Sequence, residues 1–183
     1  MASCKLSIVD YEELSGCEFQ TGRIVALAFV DESINFGDGT GGTTDITSAA
    51  NWTGFTYSAD ALVYKDVRGS YPAPSPTEIA GKGKQDVRVS GRKHEITVVI
   101  DNVSPTNWNH FNALNKSTGY KLVFIVGSDY GLMFHVDTTV SINASPPIDE
   151  ALDSELSWTL SIKWDDIDLP RVYDTVPAGI FED

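Results

Sequence analysis

The sequence predicts a mainly β protein. The expected architecture is an antiparallel sandwich or half-barrel, a single domain over residues 1–183, with one flanking helix at about 104–118. Three observations predict it. First, Leu156, Trp158, Leu160, Ile162 and Trp164 alternate with Glu155, Ser157, Thr159, Ser161 and Lys163. Successive strand side chains point to opposite faces, so this stretch reads as a half-buried strand about 30 Å long. Second, RIVALAFV at 23–30 is apolar on both parities and YKLVFIV at 120–126 is nearly so. Such runs belong to strands covered on both faces, and 23–30 is either central to a sandwich or sealed by a neighbouring subunit. Third, Thr, Val, Ile and aromatic residues are frequent, while Ala-, Glu- and Leu-rich helical blocks are absent. That composition favours strands.

Taken in order, residues 1–22 read as an N-terminal arm, with a strand pattern at Lys5–Val9 and a turn at Ser15-Gly16. Arg23–Val30 is the first strand. Residues 31–51 form a long loop around Phe36, Gly37, Asp38 and Gly39, without periodicity. Loops of that length in a compact domain are often functional. Trp52–Tyr57 and Ala61–Arg68 read as a hairpin. Tyr71-Pro-Ala-Pro-Ser-Pro76 must be extended and cannot lie in a central strand, so it is a stiff connector or an edge loop. Gln85–Ser90 and Glu95–Ile100 are two strands, with Gly91-Arg92-Lys93 as the turn between them.

The helix opens at Ser104-Pro105, a capping hydroxyl followed by a proline suited to the first turn. Trp108, Phe111 and Leu114 form its apolar stripe, His110 falls off the stripe towards solvent, and Gly119 is the stop signal. Tyr120–Val126 is a buried strand. Leu132, Phe134, Val136, Val140 and Ile142 then share one strand face, and His135, Asp137, Thr139 and Ser141 share the other, which reads as solvated. The stretch from 165 to 183 carries Asp165, Asp166, Asp168, Asp174, Glu182 and Asp183 against Arg171. It is an acidic arm. Its Ile180-Phe181 pair is out of place on a solvated tail and is expected to dock on something.

Charge narrows the function. Thirteen basic against 26 acidic residues give a net charge of −13. Nucleic-acid binding by the whole surface is not expected, because phosphate neutralisation needs basic patches. Self-repulsion for solubility is one reading of the acidity. A surface that nucleic acid touches without sticking is the other. Lys82, Lys84, Arg88, Arg92 and Lys93 form the one basic cluster. No aromatic interleaves it, so a charge-complementary contact with an acidic surface is favoured over a phosphate site.

Chemistry-bearing motifs are thin. Gly37, Gly39 and Gly42 spell GxGxxG, but the run leads into a β-like segment instead of opening a helix, so no dinucleotide cofactor is expected. Asp38 and Asp45 miss the calcium-loop spacing. Cys4 and Cys17 read as reduced thiols, and no clustered ligands suggest a metal. His135 beside Asp137 lacks a third group or a nucleophile, so no catalytic residue and no enzyme are expected. Asn51-Trp-Thr53, Asn115-Lys-Ser117 and Asn143-Ala-Ser145 match a glycosylation pattern by chance. The N-terminus has no basic head before an apolar core, so no secretory leader is expected. No apolar run approaches the ~20 residues of a membrane span, so no membrane insertion is expected.

Two stretches carry a family resemblance. One runs from Pro74 to Gly91, PSPTEIAGKGKQDVRVSG, and the other from Val140 to Trp164, VSINASPPIDEALDSELSWTLSIKW. With the Cys4…Cys17…Gly22-Arg-Ile spacing and the order of elements, the chain resembles the tail tube proteins of long-tailed bacteriophages. It is similar in particular to tube-like virion proteins of phages infecting Bacteroidetes-type bacteria. The resemblance implies a structural virion protein, made in the host bacterial cytoplasm. It implies six copies per ring, with inner strands closing a barrel between subunits. Rings would stack into an acidic tube that double-stranded DNA traverses without specific binding. The partners would be the chain itself and other phage tail proteins. Phe36, Gly37, Asp38, Gly39, Lys82, Lys84, Arg88, Arg92, Lys93, Ile180 and Phe181 are the candidate inter-subunit contacts. Related tube-fold components, a tail terminator or a baseplate hub, are the near alternatives. A carbohydrate-binding β-sandwich using Trp52, Tyr57, Trp158 and Trp164 is the alternative from another class.

Overall fold

The computed structural model describes residues 22–32, 61–80, 87–101, 103–127, 132–146 and 156–173. The elements are β1 (Ile24–Asp31), β2 (Ala61–Tyr64), β3 (Arg68–Ser70), β4 (Ser75–Ala80), β5 (Val87–Ile100), α1 (Pro105–Leu114), β6 (Tyr120–Val126), β7 (Leu132–Ser145), β8 (Trp158–Asp166) and β9 (Arg171–Tyr173). The strands pair antiparallel in the order β1-β3-β5-β8-β7-β6, and β6 pairs back to β1. Six strands therefore close a barrel within one chain. β2 lies beside β1, β4 beside β5 and β9 beside β7. The β-rich composition and the single helix among the described residues agree with the sequence reading. Closure does not need a neighbouring subunit, because β1 finds partners on both of its own edges.

The barrel is filled by the alternate residues that the strand pattern marks. Leu27 and Phe29 from β1, Ile96 and Val98 from β5, Leu122 and Phe124 from β6, and Trp158, Leu160, Ile162 and Trp164 from β8 share one core. Leu156 departs from the expectation. It is 64% exposed, because β8 and β5 stop pairing at Trp158 and Ile100 and no ladder continues beneath it. Phe111 and Leu114 close one end of the barrel from α1. β1 is apolar on both parities because both faces are buried. Its outer residues Ala26 and Ala28 stand beside Ile125 and Val123, which in turn stand beside Met133 and His135, and all six are buried.

The barrel closes at a glycine. Gly69 of β3 sits between Ile24 and Val98 in the ladder. A Cβ placed there would lie 3.0 Å from Ile24 Cβ and 3.0 Å from Val98 Cγ2. The missing side chain lets β1 and β5 approach across the three-residue strand.

Several local expectations change. Gly91-Arg92-Lys93 is not a turn: β5 runs unbroken for 14 residues. Thr77 pairs with Gly91 and Glu78 with Val89, so Ser90 is the extra residue of a β-bulge. Its hydroxyl donates to the Thr77 carbonyl at 3.1 Å. β4 pairs with β5 from Val87 to Lys93, and β8 from Arg92 to Ile100 with β3 beside Thr97–Val99, so the strand passes from one set of partners to the next without reversing. Ala61–Arg68 is not one strand either. Asp66, at φ 56, divides β2 from β3, a left-handed position that Asp adopts more readily than most residues. The other half of that expected hairpin, Trp52–Tyr57, lies outside the described residues. The proline-rich stretch leads into β4, an edge strand that tolerates Pro76.

The helix begins as expected, with the Ser104 hydroxyl accepting from the Asn107 N–H at 3.1 Å and Pro105 in the first turn. It ends at Leu114, before Gly119. Asn115 terminates it by pairing its amide with both backbone groups of Ala144, at 2.9 and 2.5 Å. Gly119, at φ 86, instead shapes the entry into β6. On β7, Val140 pairs with Tyr120 and Val136 with Leu122, so residues 137–139 bulge outwards. His135 is 1% exposed and does not lie on a solvated face. Its side of the barrel wall is the covered one that Val123 and Met133 share.

Candidate functional site

The first half of β5 leaves the barrel wall. β8 pairs with β5 only from Arg92 onwards, so among the described residues Val87–Gly91 has β4 alone beside it. The result is a two-stranded ribbon. Such a ribbon is marginal in water by itself and gains stability when something covers it. Ile79 is 57% exposed on it and Val89 42%. The two edges differ. β4 carries Pro76, which lacks an N–H and blunts that edge, whereas the other edge of Val87–Gly91, without a partner among the described residues, has no proline.

Basic residues recur along β5, with Glu78 of β4 opposite Val89. Arg88 belongs to its projecting part, and Arg92 and Lys93 lie at its root. Arg88 to Lys93 spans about 17 Å of strand. At the root, Arg92 stands opposite Asp166 and Lys93 opposite Asp165 in the β5–β8 ladder. Part of the basic cluster is thus already set against carboxylates of the same chain. Lys82 and Lys84 lie outside the described residues, as do Phe36, Gly37, Asp38, Gly39, Ile180 and Phe181. The structure brings together Arg88, Arg92 and Lys93 on one strand. Further along, Glu95 accepts from Ser161 at 2.8 Å and pairs with Lys163 at 3.2 Å. These bonds hold the Glu95 carboxyl below its ordinary range. The pair is solvent-exposed and adds little stability.

The histidines have specific partners that the sequence did not reveal. His94 is buried and stacks on Trp164 at 4.9 Å. Its Nδ1 meets the Tyr71 hydroxyl at 2.6 Å and its Nε2 the Asp166 carbonyl at 3.3 Å. His110, expected in solvent, meets the Tyr64 hydroxyl at 2.6 Å. Burial pushes the Tyr64 phenol well above its usual range. His135 lies 3.2 Å from Asp137, which Arg171 approaches at 3.7 Å. Burial lowers the His135 pKa, against the opposing pull of Asp137. The His94 ring thus joins β5 to Tyr71 and to β8, and the His110 ring joins α1 to β2.

A cleft of about 610 Å³ lies between β2 and α1, lined by Tyr64, Asp66, Asp101, Asn107, His110 and neighbours. Beside it Arg68 Nη2 bonds both Asp101 oxygens at 2.6 and 2.7 Å. The Tyr64 hydroxyl and the His110 ring, 2.6 Å apart, both line it. Among the described residues, no group of three or more His, Cys, Asp or Glu side chains could hold a metal ion, and no helix is long and apolar enough to cross a membrane. Trp158 and Trp164 are 2% and 5% exposed. They are core residues and offer no platform for a sugar. Trp52 and Tyr57 lie outside the described residues. Compared with family models, curated proteins and solved structures, the chain matches none.

Proposed function

We propose that this chain is a self-assembling structural subunit of a bacteriophage tail tube. Six copies form a ring, and stacked rings enclose an acidic passage for double-stranded DNA. The protein resides in the virion tail after synthesis in the host bacterium, and its other partners are tail proteins. The resemblance of residues 74–91 and 140–164 to tube-like virion proteins motivates this reading. The observation that carries it is the run of Arg88, Arg92 and Lys93 along one strand of an otherwise acidic chain. A net charge of −13 makes close packing of copies repulsive unless a positive element meets a negative one. Arg88 supplies a positive element on a two-stranded projection that gains from being covered, while Arg92 and Lys93 at its root stand opposite Asp166 and Asp165. Phosphates meeting the acidic remainder are repelled, so DNA slides instead of binding.

Here the barrel closed within each chain acts as a rigid block, and the ribbon and arms join blocks. Light scattering on the purified chain tests this. Wild-type mass should rise with concentration, and Arg88→Glu with Arg92→Glu should keep the chain monomeric at concentrations where wild type assembles. Unchanged assembly by the reversed chain removes the ribbon from the interface. Copy number per particle separates a tube subunit, present in many rings, from a terminator or hub present in about one.

A further inference from the structure

The cleft of about 610 Å³ between β2 and α1 takes no part in closing the barrel or in the basic strand. Its volume falls among small-ligand sites, which span about 300–1,000 Å³. Its charges balance. Asp66 and Asp101 line it against Lys65, and Arg68 bonds both Asp101 oxygens at 2.6 and 2.7 Å. Burial pushes the Tyr64 phenol up, so it adds no further negative charge. An ion of either sign entering here meets a like charge, whereas a neutral ligand does not.

Hydrogen-bonding capacity narrows the ligand further. A hydroxyl donates once and accepts up to twice, so a ligand rich in hydroxyls needs donors and acceptors side by side. Asp66 and Asp101 bring acceptors to the cleft, Lys65 brings donors, and the Asn107 amide brings both. The Tyr64 hydroxyl and His110 Nε2 are 2.6 Å apart. Whichever of them donates, a neutral pair keeps one further donor and one further acceptor. Val63 and Ile100 add an apolar wall suited to the C–H face of a saturated ring. We infer that this cleft binds a neutral sugar, whose hydroxyls bond Asp66, Asn107 and the Tyr64–His110 pair while its ring lies against Val63 and Ile100. The buried Trp158 and Trp164 take no part in it. The site does not depend on the assembly reading, because every residue it uses belongs to one chain.

Glucose, galactose, mannose and N-acetylglucosamine are the probes. Each is titrated into the full chain and followed by calorimetry and by NMR of the histidine ring protons. At least one should bind saturably and shift the His110 signals, which His110→Phe identifies by their loss. Asp66→Asn removes the charge at a left-handed position, φ 56, that Asn also tolerates. Tyr64→Phe removes the hydroxyl and keeps the stack on Phe111 at 6.1 Å. Each should weaken binding roughly tenfold while circular dichroism stays that of wild type. If one variant fails to fold, the other decides. Absence of binding by all of these sugars overturns the inference, as does wild-type affinity in either folded variant. Tighter binding of arginine or phosphate than of every sugar also overturns it. A chain that forms rings and ignores the sugars sinks this site alone. A chain that binds a sugar and stays monomeric keeps the site and sinks the tube reading.

Discussion

Gly69→Ala isolates the step that closes the barrel. The added methyl would sit 3.0 Å from Ile24 Cβ, 3.0 Å from Val98 Cγ2 and 3.3 Å from the Thr97 carbonyl oxygen. Ile24 Cβ is fixed to its backbone and cannot swing aside, and the carbonyl is held in the ladder. Overpacking of this kind costs about 1–3 kcal/mol. One effect opposes it. Gly69 is not at positive φ, so alanine restricts the unfolded chain and returns about 0.4–1 kcal/mol. The net loss is about 1–2 kcal/mol, or a fall of about 2–8 °C in Tm for a chain of this size. Urea unfolding followed by circular dichroism measures it. Gly91→Ala is the matched control, because nothing lies within 4 Å of its Cβ position and its φ is not positive. It should be neutral or slightly stabilising. If Gly69→Ala matches the control, β1 and β5 do not meet at this seam and the closed barrel is wrong.

Other outcomes follow from the core and the covered outer wall. Trp158→Ala should lose about 3–5 kcal/mol, since the ring is 2% exposed and lies 4.6 Å from Phe111. A loss under about 1 kcal/mol in the same unfolding assay would move it out of the core. His135 is held neutral by burial, with its pKa below the ordinary value of about 6.5. As pH falls below about 6.5, the unfolded chain takes up a proton that the folded chain refuses, so stability declines towards the folded pKa. Urea midpoints measured from about pH 7.5 to 5 should show this slope, and His135→Gln should flatten it. An equal slope in both chains would assign the effect to other groups.

The parts of the fold legible in the sequence are those governed by strand alternation and local capping. Trp158 to Trp164 alternate because one layer covers them, and Ser104-Pro105 announces its own helix start. What stayed hidden depends on partners distant in sequence. Gly91-Arg92-Lys93 has turn chemistry, yet the β4 and β8 ladders on either side keep it extended. His135 sits on the polar parity of its strand, but it is buried beside Val123, and alternation cannot report that both faces of a strand are covered. Gly69 carries no periodic signal at all, although the closure of the barrel passes through it. At the candidate site the basic cluster was legible as composition. That Arg88 to Lys93 ride one continuous strand, with Asp165 and Asp166 opposite its root, needed the β5–β8 register. The pairing of His110 with Tyr64 joins two segments 46 residues apart and leaves no local trace.

The central claim, a ring-forming tube subunit, is tested most directly by negative-stain electron microscopy of the purified chain over a range of concentrations. Hollow rings, and at higher concentration stacked tubes with an open passage, are the predicted result. Uniform monomer-sized particles at every concentration, and also in the presence of other tail proteins, would contradict it.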